Sequence, residues 1–274
     1  MEGTLFDHFV LTRFNIRYQG QAPASEGWLR HRLGYFEQVC CPSVRSQTNQ
    51  DFQWIVLLDA DRDEWFEREI TRLSIGLFEP VWVNGIFTPK TATGITAARS
   101  SADWLITSRL DNDDAISRDY IQAVQDCFDG RMGFINFPSG LQLTDSGELF
   151  HRSDLSNPFV SLIERRDDDL GVYHIRHDHA LAFGKIRQVR SRPMWLQMIH
   201  DRNAGNRAGG VRANPDLLKY FDVQVSAKPT SWVALWASQA KTSAALAWRV
   251  AQSPRRLSVV GRISLFVFKK AANL

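Results

Sequence analysis

Past Asp222 the sequence contains no acidic residue at all. That stretch carries Lys228, Lys241, Arg249, Arg255, Arg256, Arg262, Lys269 and Lys270, a charge of +8, so the rest of a chain of net charge +3 holds −5. An acidic body with a basic, aromatic tail points to a negatively charged partner surface, membrane or nucleic acid. No nucleic-acid fold signature accompanies the basic residues, so the expected partner is an anionic membrane surface rather than RNA or DNA. A helix packed on the body is the competing reading of the same tail. Cysteine is scarce: Cys40, Cys41 and Cys127 make no disulfide framework, and they read as buried, reduced thiols suited to a cytoplasmic setting. The opening "MEGTLFDHFVLTRFNIR" lacks a basic segment followed by an uninterrupted apolar one, so no secretory signal peptide is expected. Nowhere does an apolar run reach the roughly 18 residues that a spanning helix needs. Repeats and low-complexity segments are missing as well.

What is present is a globular composition, 44% apolar and 23% charged, with nine tryptophans and seventeen phenylalanines to fill a core. The first half alternates. "FDHFVLTRFN" reads as a strand, and "EGWLRHRLGYFEQVCCPSV" as a helix stopping at Pro42. "FQWIVLLDAD", "PVWVNGIF" and "WLITSRLDNDDA" read as further strands, with helices in "DEWFEREITRLSIGL", "TATGITAARSSAD" and "SRDYIQAVQDCFDG". Such an order predicts a mostly parallel sheet flanked by helices, with ligands beyond the carboxyl ends of its strands. The second half is less regular, with strands in "MGFINFPSGLQL" and "GELFHR". Residues 1–222 are expected to form the α/β domain and 223–274 a basic, aromatic, helical extension. In that extension "TSWVALWASQAKTSAALAWRVAQ" is free of glycine and proline.

Acids crowd two strand ends. Asp59 and Asp61 close "WIVLLDAD", and Asp111, Asp113 and Asp114 follow "WLITSRL". Unpaired carboxylates so close would repel and spread their pKa values, and a divalent cation removes the conflict. Hard oxygen ligands suit Mg²⁺ or Mn²⁺, which also bind substrate phosphates. The same acids also fit a solvated loop in which Asp111 or Asp114 caps the next helix.

Several blocks recur in order: "LTRFNIR", "CPSVRSQTNQDFQWIVLLDAD", "SRLDNDDAIS", "NPFVSLIER" and "RPMWLQMIHDRN". Together they resemble GT-A-fold glycosyltransferases with a DxD motif, and in particular the bacterial family described as putative rhamnosyltransferases, over about residues 5–206. The resemblance implies a GT-A-like, Rossmann-like mixed sheet and a nucleoside-diphosphate sugar donor held with Mn²⁺ or Mg²⁺. It implies that Asp111 and Asp113 form the DxD pair, with at least one on the metal. It places Asp59 near the nucleoside, Thr12 and Arg13 under the donor, and Arg99 on the phosphates, where a surface ion pair competes as the explanation.

His200 is the candidate metal or diphosphate ligand from the second half, although a lone histidine is more often structural. His174, His177 and His179 form a rival set, for a transition metal or the acceptor. Deprotonating an acceptor hydroxyl requires a carboxylate, and Glu164 is the candidate base, with Asp113 at the reacting centre and Asp167 to Asp169 as competitors. Most tryptophans read as core, with Trp195 the candidate for stacking on a sugar. The expected activity is metal-dependent transfer of a sugar, rhamnose by the resemblance, to a surface-glycan or lipid-linked acceptor on the inner face of the cell membrane. Two other functions fit the same residues: a metal-dependent phosphohydrolase or nucleotidyltransferase, and a non-enzymatic membrane or glycan binder.

Overall fold

A computed structural model describes residues 5–174, 186–201 and 208–252. Strands β1 (Phe6–Arg13), β2 (Gln53–Asp59), β3 (Glu79–Val83) and β4 (Trp104–Arg109) are all parallel, as the alternation predicts. Trp54 to Leu58 of β2 are buried without a break because both faces of this sheet are covered. Trp54, Val56 and Leu58 meet Phe36, Phe66 and Ile70 on one face. Ile55 and Leu57 meet Phe9, Leu11 and Ala92 on the other.

The connecting helices are α1 (Glu26–Tyr35), α2 (Cys41–Arg45), α3 (Glu64–Ser74), α4 (Pro89–Ala97) and α5 (Tyr120–Gln125). Pro42 does not stop the first of these segments. A π-helical turn (Phe36–Cys40) follows α1 and runs directly into α2, with Pro42 in the first turn of α2.

The rest of the sheet is antiparallel at its join. β9 (Ser161–Arg165) runs against both β4 and β6 (Gly133–Asn136), and β10 (Ile186–Gln188) lies beside β6. The strand order is β10-β6-β9-β4-β1-β2-β3. It reverses between β1 and β4, which makes the carboxyl ends of those two strands the topological switch point.

A second sheet was not expected. Its order is β12-β8-β7-β11-β5, from β5 (Ala115–Ile116), β7 (Ser139–Thr144), β8 (Leu149–Ser153), β11 (Trp195–Ile199) and β12 (Val211–Arg212). Trp195 of β11 is buried in the core cluster shared with the first sheet, against the sugar-stacking expectation. The ring is 1% exposed, stacks on Phe159 at 5.2 Å, and donates its N–H to the Phe137 carbonyl at 2.8 Å. It lies over Gly140, where a Cβ would come 2.0 Å from the indole.

Residues after Asp222 continue to pack on this sheet. Val223, Val225 and Ala227 join its apolar cluster, and Lys228 N donates to the Gly147 carbonyl. The helix α6 (Trp232–Gln252) then docks through Ser238, whose Oγ accepts from Arg212 N at 2.9 Å. Trp232, Val233, Trp236 and Trp248 face solvent. Among the described residues no helix is long and apolar enough to cross a membrane.

Candidate active site

Strand alternation decides what reaches the switch point. Residues 9, 11 and 13 of β1 share one face and residues 10, 12 and 14 the other, so Thr12 and Arg13 point oppositely. Thr12 is fully buried and its Oγ1 accepts from the Trp54 indole at 2.9 Å, which removes that hydroxyl from the expected donor site. Arg13 lies on the other face, next to Arg109 from β4.

Both guanidiniums rest on Tyr173, at 4.3 Å from its ring centre for Arg13 and 5.2 Å for Arg109. Arg13 also donates to the Tyr18 hydroxyl. Burial pushes the Arg109 guanidinium below its usual range, and the nearby Asp111 charge opposes that shift. The Nε of each arginine is buried without a hydrogen-bond partner among the described residues. Neither arginine makes an ion pair there. A buried cation with unused donors is costly unless an anion completes it.

The position of Tyr173 is set by Glu164, not by chance packing. Glu164 pairs with Leu105 near the start of β4, about 13 Å short of that strand's end at Arg109. Its carboxylate accepts from Leu170 N at 3.0 Å and Gly171 N at 2.9 Å. Val172 N then donates to Thr107 Oγ1, and the Tyr173 hydroxyl to the Leu11 carbonyl. Glu164 therefore holds the segment that carries Tyr173, and its expected role as acceptor base is corrected. Burial raises its pKa to about 7. Asp167 and Asp168 form a turn beside it, and Asp169 ends the turn in the left-handed region.

Arg99 also falls outside the site. It follows α4 at the amino edge of the sheet, where it grips the two oxygens of Glu79 at 2.9 and 2.5 Å. The surface ion pair is the reading that survives. Asp59 does lie at the expected edge, buried and paired with Arg17 at 2.7 Å. His174 is exposed, while His177 and His179 lie outside the described residues.

The aspartates divide rather than converge. Asp111 is half-buried and acts electrostatically on both Arg13 and Arg109. Asp113 is buried and turns instead to Arg32 and to His200, whose Nε2 lies 3.0 Å from Asp113 Oδ2. Asp114 is buried too, accepts from Met198 N at 2.9 Å, and is held well above the usual carboxylate range by burial and by its neighbours Asp113 and Asp111. The positive charge that three crowded acids demand comes from arginines. Arg32 and Arg109 went unread in the sequence, although Arg109 stands only two residues before Asp111.

Asp111, Asp113 and His200 consequently do not form one ligand set. Among the described residues the group whose donor atoms come together is His31, His200 and Asp201, all within 4.8 Å of one another. Two imidazoles and a carboxylate fit a divalent cation, with His200 as the ligand common to both sets. Tyr35 stacks on His200 at 4.8 Å, and His31 meets both rings edge-on. Beside them opens a cleft of ≈ 510 Å³ lined by His31, Tyr35, Gln38, Asp145, Met198 and Gln224 among others.

The sequence matches the family model described as "putative rhamnosyl transferase" over residues 15–212. The chain belongs to this family. The match takes in Arg17, Arg32, Asp59, Arg109, Asp111, Asp113, Tyr173 and His200, and leaves Arg13 and α6 outside. The sequence matches no curated protein.

Among solved structures it is similar to S. aureus TarS residues 1–349, at 11% identity and TM-score 0.41, over 70% of this chain and 60% of that one. HddC from Yersinia pseudotuberculosis is similar at 11% identity and TM-score 0.38, over 70% of this chain and 92% of that one. The mannosyltransferase PcManGT from Pyrobaculum calidifontis, in complex with GDP-Man and Mn²⁺, is similar at 12% identity and TM-score 0.30, over 48% of this chain and 35% of that one.

Proposed function

We propose that this transferase moves a sugar, rhamnose by the family's description, from a nucleoside-diphosphate donor to a glycan or lipid-linked acceptor. The observation that supports it best is the pair Arg13 and Arg109 at the switch point, Arg109 buried and Arg13 partly so, with the Nε of each buried and unused among the described residues. A diphosphate supplies the missing anion and accepts from both guanidiniums. Asp111 tempers the local positive charge, and the nucleoside extends toward Asp59 and Arg17 at the end of β2. His31, His200 and Asp201 would hold a divalent cation, which would supply positive charge to offset that of a leaving diphosphate.

The acceptor enters by the cleft between α1 and the second sheet. Asp145 is the carboxylate on that cleft's lining, and it takes the base role first assigned to Glu164. Tyr35 donates to Asp145 Oδ1 at 2.5 Å, which orients the carboxylate. The exposed tryptophans of α6 hold the protein at an anionic membrane, where a lipid-linked acceptor resides.

Calorimetry with UDP, dTDP and GDP, with and without Mn²⁺, tests the donor site. One nucleotide should bind, and Arg109→Ala should weaken it at least about tenfold. Heat from none of the three would overturn the reading. Product analysis then separates transfer, which yields a glycoside and a nucleoside diphosphate, from hydrolysis, which yields a sugar phosphate or free phosphate.

A further inference from the structure

His200 presents its two ring nitrogens to different surroundings. Nε2 lies 3.0 Å from Asp113 Oδ2, and Asp113 is ion-paired with Arg32. A carboxylate in an ion pair only accepts, so Nε2 donates to it, and in the neutral imidazole Nδ1 then carries the lone pair. The His200 side chain is 0% exposed, and Nδ1 has no hydrogen-bond partner among the described residues. A buried imidazole lone pair without a donor lacks the partner that its burial requires.

We infer that His31, His200 and Asp201 form a binding site for a borderline transition-metal ion, with Asp113 as the residue that positions His200 rather than as a ligand. Histidines that bind metals commonly donate their second N–H to a carboxylate, which fixes the tautomer and raises the basicity of the ligating nitrogen. The Asp113–His200 pair has that form. Donors about 2.1 Å from an ion stand no more than about 4.2 Å apart. The observed spread, within 4.8 Å, is close to that limit, and Asp201 is exposed.

Two nitrogen donors and one oxygen select Mn²⁺, Co²⁺ or Zn²⁺ over Mg²⁺, which prefers oxygen and holds its waters. Tyr35 and His31 place the ion at the wall of the cleft, with room for a fourth ligand from solvent or acceptor. The ion site stands on this geometry alone, and only its use in transfer rests on the function proposed above.

The test is a titration of the full-length, chelator-stripped protein with Co²⁺, read by its visible d–d absorption and by elemental analysis. One ion should bind per chain, and excess Mg²⁺ should not displace it. His31→Ala and Asp201→Asn should each weaken binding at least about tenfold, Asp113→Asn by about 10–100-fold, and Asp111→Ala not at all. Asp201 is exposed, so Asp201→Asn keeps the test decisive should His31→Ala fail to fold. Absence of Co²⁺ binding, survival of binding in Asp201→Asn, or its loss in Asp111→Ala would overturn the assignment. Nucleotide binding measured in chelator serves as the independent control. Its loss alone would count against the donor site and leave the ion site standing.

Discussion

His200 and Asp113, 87 positions apart in the chain, meet at 3.0 Å and join the second sheet to the acidic end of the first. The contact ties β11, through the residue that follows it, to the loop after β4. Arg32 of α1 shares the same Asp113 oxygen, so three separate segments converge on one carboxylate.

Removing that carboxylate should therefore be a structural event as well as a functional one. Asp113→Ala leaves the largely enclosed Arg32 without its ion partner and with only its bond to Asn112, at a cost of up to about 3 kcal/mol. Half-buried Asp111, which makes no ion pair among the described residues, should tolerate Asp111→Ala with a loss below about 1 kcal/mol and with turnover less affected than in Asp113→Ala. Thermal melts of the two variants beside turnover measurements check the contrast. A stable but inactive Asp113→Ala would contradict it.

The two edges of the parallel sheet should separate cleanly by mutation. Arg109→Ala is expected to weaken nucleotide binding at least about tenfold, and Arg99→Ala to leave it unchanged with at most about 1 kcal/mol lost from the surface pair with Glu79. Equal loss of nucleotide affinity in both variants would place the phosphates elsewhere.

Glu164 has a pKa raised to about 7 from an ordinary value of 4.5, burial being the main cause. The folded chain thus keeps a proton that the unfolded chain has released between those values. Stability contributed by this group is full below about pH 4.5 and is lost as pH rises through about 7. Glu164→Gln cannot ionise, so wild type should gain on it by about 1–3 kcal/mol between pH 7.5 and pH 5. Urea unfolding of both proteins across that range measures the difference, and parallel curves would refute the assignment.

Substituting serine at Trp232 and Trp236 together should weaken sedimentation with vesicles containing anionic phospholipid at least about tenfold, without changing nucleotide binding. These side chains are 76% and 72% exposed, so the fold has little stake in them. Undiminished sedimentation would remove the membrane role from α6.

Much of the first half was legible because its apolar spacing reports burial directly. The unbroken run in β2 requires two covered faces, and the acids at the ends of β2 and β4 follow from strand direction. The opposite facing of Thr12 and Arg13 was also available, since a period of two separates neighbours. So was the place of Arg99, because a helix returning between parallel strands must end at their amino edge.

Glu164 was harder. Local pattern does not encode the direction of β9, and its antiparallel course carries Glu164 away from the active edge. The pairing of Arg32 and His31 with residues more than 80 positions away was likewise invisible, because α1 shows on its own sequence no more than a charged helical face. The second sheet was missed for a related reason: β5 and β12 are two residues each and owe their form to the strands beside them.

The indole of Trp195 over Gly140 sets a limit on how this protein can be varied. A Cβ there would enter the ring at 2.0 Å from a neighbour that is itself stacked and hydrogen-bonded, so no rotamer offers an escape. In a saturation library selected for folded protein, position 140 should return glycine alone unless position 195 changes with it. Any redesign of the second sheet must treat the two positions as a single choice.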